Sequence, residues 1–123
     1  MILADTSVWI DHLRRTDVLL ADRLDRGEII VHPFVIGELA LGSLRGRDAI
    51  LKSLGKLPRA QTAKDVEVLG MIDHHRLFGL GIGFVDAHLL AATLLTDDGR
   101  LWTRDRRLRD AAHQMRIAAH EGH

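Results

Sequence analysis

ILADTSVW, residues 2–9, reads as a strand that stops on an acid. Ile2, Leu3 and Ala4 are continuously apolar, as a central parallel strand buried on both faces would be. Asp5 follows, and then two hydroxyls, Thr6 and Ser7. Either hydroxyl can cap a helix carrying Val8, Trp9, Ile10 and Leu13. An acid at the carboxyl end of a central strand stands where open α/β sheets bind their ligands. Its meaning depends on whether the rest of the chain supplies partners.

Outward from this stretch, strands and helices alternate. A second helix runs through Leu19, Leu20 and Leu24 and stops at Gly27. EIIVHP then gives a strand at Ile29–Val31, and Pro33 suits the first position of a helix reaching about Leu41, because its missing N–H is not needed there. A short helix is expected from Asp48 to Leu57, closed by Pro58. Val66, Leu69, Ile72 and Leu77 recur at helical spacing in a longer helix from Thr62. GLGIG (79–83) breaks it, and a helix from about Val85 to Leu95 follows. TDDG (96–99) is turn chemistry. Arg100–Thr103 reads as a strand, Leu108, Ala111 and Ala112 as a last helix, and RIAA (116–119) as a short edge strand. Alternation of this kind predicts an α/β protein with a parallel sheet covered on both faces. No repeat or linker divides the chain, so one domain is expected over residues 1–123.

Bulk composition narrows the chemistry. Hydrophobic residues make up 46% of the 123 residues, enough for one core. Lys and Arg total 17 and Asp and Glu total 17, which argues against a basic protein that coats nucleic acid non-specifically. A local basic rim is still allowed. With no cysteine, a disulfide scaffold and a Cys-based zinc site are both excluded. No apolar run approaches the ~20 residues of a membrane helix, and the first residues lack a signal-type pattern. A cytoplasmic protein without membrane association is the expectation.

Asp5 gains candidate partners from three places. Asp105 also lies just past a short apolar strand, one that ends in the hydroxyl residue Thr103. Glu38 is the only charge in PFVIGELALG (33–42), and Asp86 the only one between Gly79 and Leu95. Each has a plain alternative. Asp5 and Asp86 can be helix caps, each worth about 1 kcal/mol. Glu38 can be the solvent-facing position of a mostly buried helix. Asp105 can be a surface acid paired with Arg104, Arg106 or Arg107. Together, two strand ends and two helix starts can converge on one cleft. Four clustered carboxylates repel and raise one another's pKa, so such a site normally holds a divalent cation. Oxygen-only ligands suit Mg²⁺ or Mn²⁺, with waters completing the shell. Such an ion lowers the pKa of a bound water and steadies charge on a phosphate.

Four stretches carry a family resemblance: LADTSVWIDHLR (3–14), VHPFVIGELALGSL (31–44), GIGFVDAHLLAATLL (81–95) and LWTRDRRL (101–108). In this order they resemble the PIN-domain ribonucleases of the VapC toxin type. The resemblance implies an α/β/α sandwich around a parallel sheet, Mg²⁺-dependent cleavage of RNA, a homodimer, and inhibition by a cognate antitoxin protein. It places the family's four acids on Asp5, Glu38, Asp86 and Asp105, and its hydroxyl on Thr6 or Ser7, with Thr103 opposite. The acids would bind one or two ions, directly or through water. Water activated at the metal would attack the phosphodiester in line, with Thr6, Ser7 or Thr103 orienting water or a ligand. No side-chain nucleophile is required.

Two other functions use some of the same residues. A phosphatase of the haloacid-dehalogenase type also places an acid after its first strand, but it wants a second acid two residues on, where Ser7 stands. A PIN-like module that binds RNA or a partner without cutting would keep the acids. Other signals have structural readings. DHH (73–75) lies within a helix, where adjacent histidines do not share a face. His88 sits on an apolar stripe and reads as a packed core histidine. Trp9 and Trp102 belong to core elements. Arg14, Arg15, Arg45, Arg47 and the arginines around Asp105 read first as solvated surface, with an RNA path as the second use.

Overall fold

A computed structural model describes residues 1–120 of the chain. Strand β1 (Ile2–Ala4) is the middle of a three-stranded parallel sheet, with β2 (Ile29–Ile30) on one side and β3 (Arg100–Trp102) on the other. Leu3 is in register with Ile30 and with Leu101. All three residues of β1 are buried, which is why the run carries no polar side chain. Single parallel bridges extend both edges, from Val31 to Arg59 and from Leu101 to Ala118. The edge strand expected at 116–119 is this last bridge. The Leu101 N–H donates to Ile117 O at 2.7 Å, and the Ala119 N–H donates to Leu101 O at 2.8 Å.

The helices are α1 (Thr6–Arg14), α2 (Val18–Asp25), α3 (Pro33–Ala40), α4 (Arg47–Leu54), α5 (Asp65–His74), α6 (Phe84–Leu94) and α7 (Arg106–Gln114). The chain winds from β1 through β2 to Arg59 in one direction, then returns to β3 and Ala118 in the other. Right-handed crossovers put α1–α4 on one face of such a sheet and α5–α7 on the opposite face, an α/β/α sandwich. The winding reverses between β1 and β3. That switch point is where side chains at the carboxyl ends of two neighbouring strands border an open crevice.

Helix α6 holds the centre. Ala87 through Thr93 are all buried, and the helix packs against β1, β3 and α5. Leu3, Leu90 and Leu101 interlock there with almost no exposure. Each such side chain contributes about 1.5–3 kcal/mol by leaving water. Asp86, on the first turn of this anchored helix, therefore has a fixed position.

Several local expectations shift. The N-cap of α1 is Asp5 itself, not Thr6 or Ser7, which are the first two helical residues. Helix α5 buries Val68 and Met71, whereas Val66 and Leu69 of the expected stripe are exposed. Both sides of α5 carry apolar residues, and its packing against α6 decides which of them is buried. His74 and His75 do touch, edge to face at 4.8 Å, because α5 ends between them. Gly27 stops α2 as expected, with φ 69°, a left-handed conformation in which a Cβ would be strained. Trp9, Trp102 and His88 are buried, as their positions in core elements implied.

Candidate active site

The carboxyl ends of β1 and β3 are stitched together by two hydroxyls. Thr103 Oγ1 donates to Asp5 Oδ2 at 2.5 Å and accepts from the Asp105 N–H at 3.0 Å. Ser7 Oγ donates to Asp5 Oδ1 at 2.5 Å and accepts from the Arg104 N–H at 3.0 Å. Both hydroxyls thus span the switch point, each joining the carboxylate after β1 to the backbone after β3. Asp5 Oδ1 also accepts the Val8 N–H at 3.3 Å, capping α1. Asp5 is only 5% exposed. Burial raises its pKa above the ordinary 3.8, and the hydrogen bonds from Ser7, Thr103 and the backbone work in the opposite direction.

Glu38 lies near the end of α3 rather than at a helix start, and it is exposed. The packing of α3 against α1 brings it to Thr6, whose hydroxyl donates to Glu38 Oε1 at 2.6 Å. Asp86 lies in the first turn of α6, where its Oδ2 accepts the Gly83 N–H at 3.4 Å. Its pKa is raised, first by burial. The Gly83 bond lowers it, and the charges of Asp105, Asp5 and Glu38 raise it again. All four acids therefore share one field, although they come from four separate stretches of chain.

Asp105 caps α7 by accepting the Leu108 N–H at 3.1 Å, and it is otherwise exposed. Among the described residues, no arginine lies at ion-pair distance from it. Arg104 turns away to Asp17 Oδ2, the N-cap of α2, and to Asp11 Oδ2 at 3.0 Å. Sequence reasoning missed this clasp. Its signal was the pair of acids spaced six apart after β1, which only the fold brings to Arg104. Thr6, Ser7 and Thr103 each spend their proton on a carboxylate, so in this structure they orient the acids.

Among the described residues, no group of three or more His, Asp or Glu side chains is arranged to hold a metal ion directly. The donor set still suits a hydrated hard cation. Every candidate ligand is an oxygen, Asp5 Oδ2 keeps an unused lone pair beyond the Thr103 bond, and Asp86 is opposed by three like charges. Mg²⁺ usually retains several waters and takes only one or two carboxylates directly.

The PIN domain family model matches residues 2–114 of the chain. The chain belongs to the PIN domain family. Among curated relatives, it is 46% identical over 121 residues to Ribonuclease VapC32 of Mycobacterium tuberculosis, in strains CDC 1551 / Oshkosh and ATCC 25618 / H37Rv, with 98% of each chain covered. Among solved structures, PAE2754 from Pyrobaculum aerophilum superposes with a TM-score of 0.60 over 94% of this chain and 95% of that one. At 19% identity, the latter likeness speaks to the fold.

Proposed function

We propose that the chain is an endoribonuclease, the toxin half of a toxin–antitoxin pair, cutting RNA with the help of Mg²⁺ or Mn²⁺ at Asp5, Glu38, Asp86 and Asp105. The observation that carries this is the field at Asp86, where Asp105, Asp5 and Glu38 all oppose its charge at the sheet's switch point. The 46% identity to a protein named Ribonuclease VapC32 supports the substrate class. A divalent cation bound there would supply a counter-charge for the phosphate and a water of lowered pKa.

The chain's own residues have distinct tasks in this reading. Asp5, buried and held by three donors, is the rigid member of the set. Asp86 is positioned by the anchored α6; burial first, and after it the charges of Asp105, Asp5 and Glu38, raise its pKa, and a cation would relieve that repulsion. Glu38 and Asp105, both exposed, reach toward solvent and can adjust to water-mediated ligation. Ser7 and Thr103 keep Asp5 in one rotamer. The exposed apolar residues Val66, Leu69, Phe78 and Phe84 support a homodimer. An antitoxin arginine pairing with the acids is a fitting inhibitory contact.

Incubation of the pure chain with total RNA tests the reading. Cleavage at discrete sites is expected in Mg²⁺, none in EDTA, and at least a ~100-fold loss with Asp86→Asn at unchanged circular dichroism. RNA binding without Mg²⁺-dependent cleavage would instead make the chain a binding module.

A further inference from the structure

A cavity of about 490 Å³ opens beside Glu38, between α1, α3, α4 and the loop that joins α3 to α4. Glu38 forms one end. Ile10, Leu44 and Ile50 contribute apolar wall, and Arg14 and Arg45 stand at the rim. The volume lies within the roughly 300–1,000 Å³ of small-molecule sites. Arg14 is in the last turn of α1, and Arg45 lies in the α3–α4 loop. Both are exposed, and neither has a carboxylate at ion-pair distance among the described residues. Nearby Arg47 differs, being tied to Asp48 and to the Ala40 carbonyl.

We infer that this cavity holds one nucleotide of the RNA strand flanking the cleaved bond. Its base lies on the apolar wall, and its phosphate is gripped by Arg14 and Arg45. The inference deepens the ribonuclease reading and rests on it for the role of Glu38. Charge complementarity favours this occupant. A cluster of four acids repels a polyanion, and the chain as a whole is neutral, so a strand needs cations beside the cluster. Two guanidiniums with no ion-pair partner among the described residues, beside an apolar floor, fit a nucleotide, whose phosphate and base are joined through its ribose. Continuity does the rest, since Glu38 belongs both to the cavity and to the acid set. Single-stranded RNA, with its bases unstacked, can present both parts at once.

The test uses a fluorescein-labelled, mixed-sequence single-stranded RNA of about 12 nucleotides. Binding is followed by anisotropy in the Asp86→Asn background across a salt series, and cleavage by the chain with its acids intact. Arg14→Gln and Arg45→Gln should each weaken binding about five- to ten-fold. Each should flatten the slope of log K against log salt by about 0.7, the single-strand value per phosphate contact. Arg→Lys at either position should restore the slope. In cleavage, KM should rise while kcat stays within about two-fold. Unchanged affinity and slope in a chain that still cleaves would overturn the inference, leave the ribonuclease reading intact, and assign the cavity to a protein partner. A chain that neither binds nor cuts RNA would overturn both.

Discussion

At the end of β1, the side chain that folds back to cap the next helix is a carboxylate; at the end of β2, it is an imidazole. Asp5 Oδ1 accepts the Val8 N–H at 3.3 Å, and His32 Nδ1 accepts the Phe34 N–H at 3.0 Å. Both residues are buried, at 5% and 1% exposure. Burial, and after it the neighbouring His88, lowers the His32 pKa to about 4, so the ring is neutral near pH 7. Its Nε2 has no hydrogen-bond partner among the described residues. A cap therefore needs only an acceptor, and a neutral one serves at β2. Capping does not explain a buried carboxylate at β1, where Ser7 and Thr103 also donate to it and Asp105 stands across the crevice. The charge sits at the switch point, and the neutral ring lies one strand away from it.

Replacing the two strand-end acids by alanine is the strongest way to break this comparison. Asp5→Ala should cost about 3 kcal/mol, because it removes a cap and leaves two inward hydroxyls without an acceptor. Asp105→Ala should cost about 1 kcal/mol, the value of a cap alone. Equal midpoints in urea unfolding would reduce Asp5 to a cap. Thr103→Val comes next, at about 1–2 kcal/mol, since it takes a donor from Asp5 and an acceptor from the Asp105 N–H. It should also push the Asp5 pKa further up, measured by carboxyl ¹³C titration, because a donor favours the charged form.

The imidazole gives a pH test. Between 6.5 and about 4 the unfolded chain protonates this histidine and the folded chain does not. Stability from His32 is therefore full above 6.5 and lost as pH falls through that window, with a slope of at most about 1.4 kcal/mol per pH unit. Asp5 and Asp86 act in the reverse sense. Their raised values make the folded state hold protons longer, so stability falls as pH rises through the window just above 3.8. His32→Asn keeps an acceptor at the cap and should erase the first slope while leaving the second. Thermal unfolding across pH measures both.

The smallest effect concerns the exposed acids. Glu38→Gln and Asp105→Asn keep the acceptors used by Thr6 and by the Leu108 N–H, yet remove like charges that oppose Asp86. In EDTA, each should raise the melting temperature by roughly 1–3 °C. Each should also shrink the further rise on adding Mg²⁺, because a ligand stabilises the native state only as far as it binds it. Equal Mg²⁺ shifts in both variants and the parent chain would separate Glu38 and Asp105 from any shared ion.

Local sequence carried much of the fold. Continuous apolarity marked Ile2–Ala4 as a buried strand, Pro33 marked the start of α3 and Gly27 the end of α2, because these effects act within a few residues. The four acids stood out for a similar reason, each being a charge in apolar or strand-end surroundings. Other features depend on packing between distant segments, and only the tertiary structure decided them. The phase of α5 was one, because Val66 and Leu69 are as apolar as Val68 and Met71, and only contact with α6 selects the buried pair. Arg104 was another, since its acids at 11 and 17 reach it only after β1 and β3 lie side by side. The hydroxyls of Ser7 and Thr103 belong to the same class. Hydrogen bonds between residues 98 positions apart, as between Asp5 and Thr103, follow from sheet topology, which no local pattern encodes.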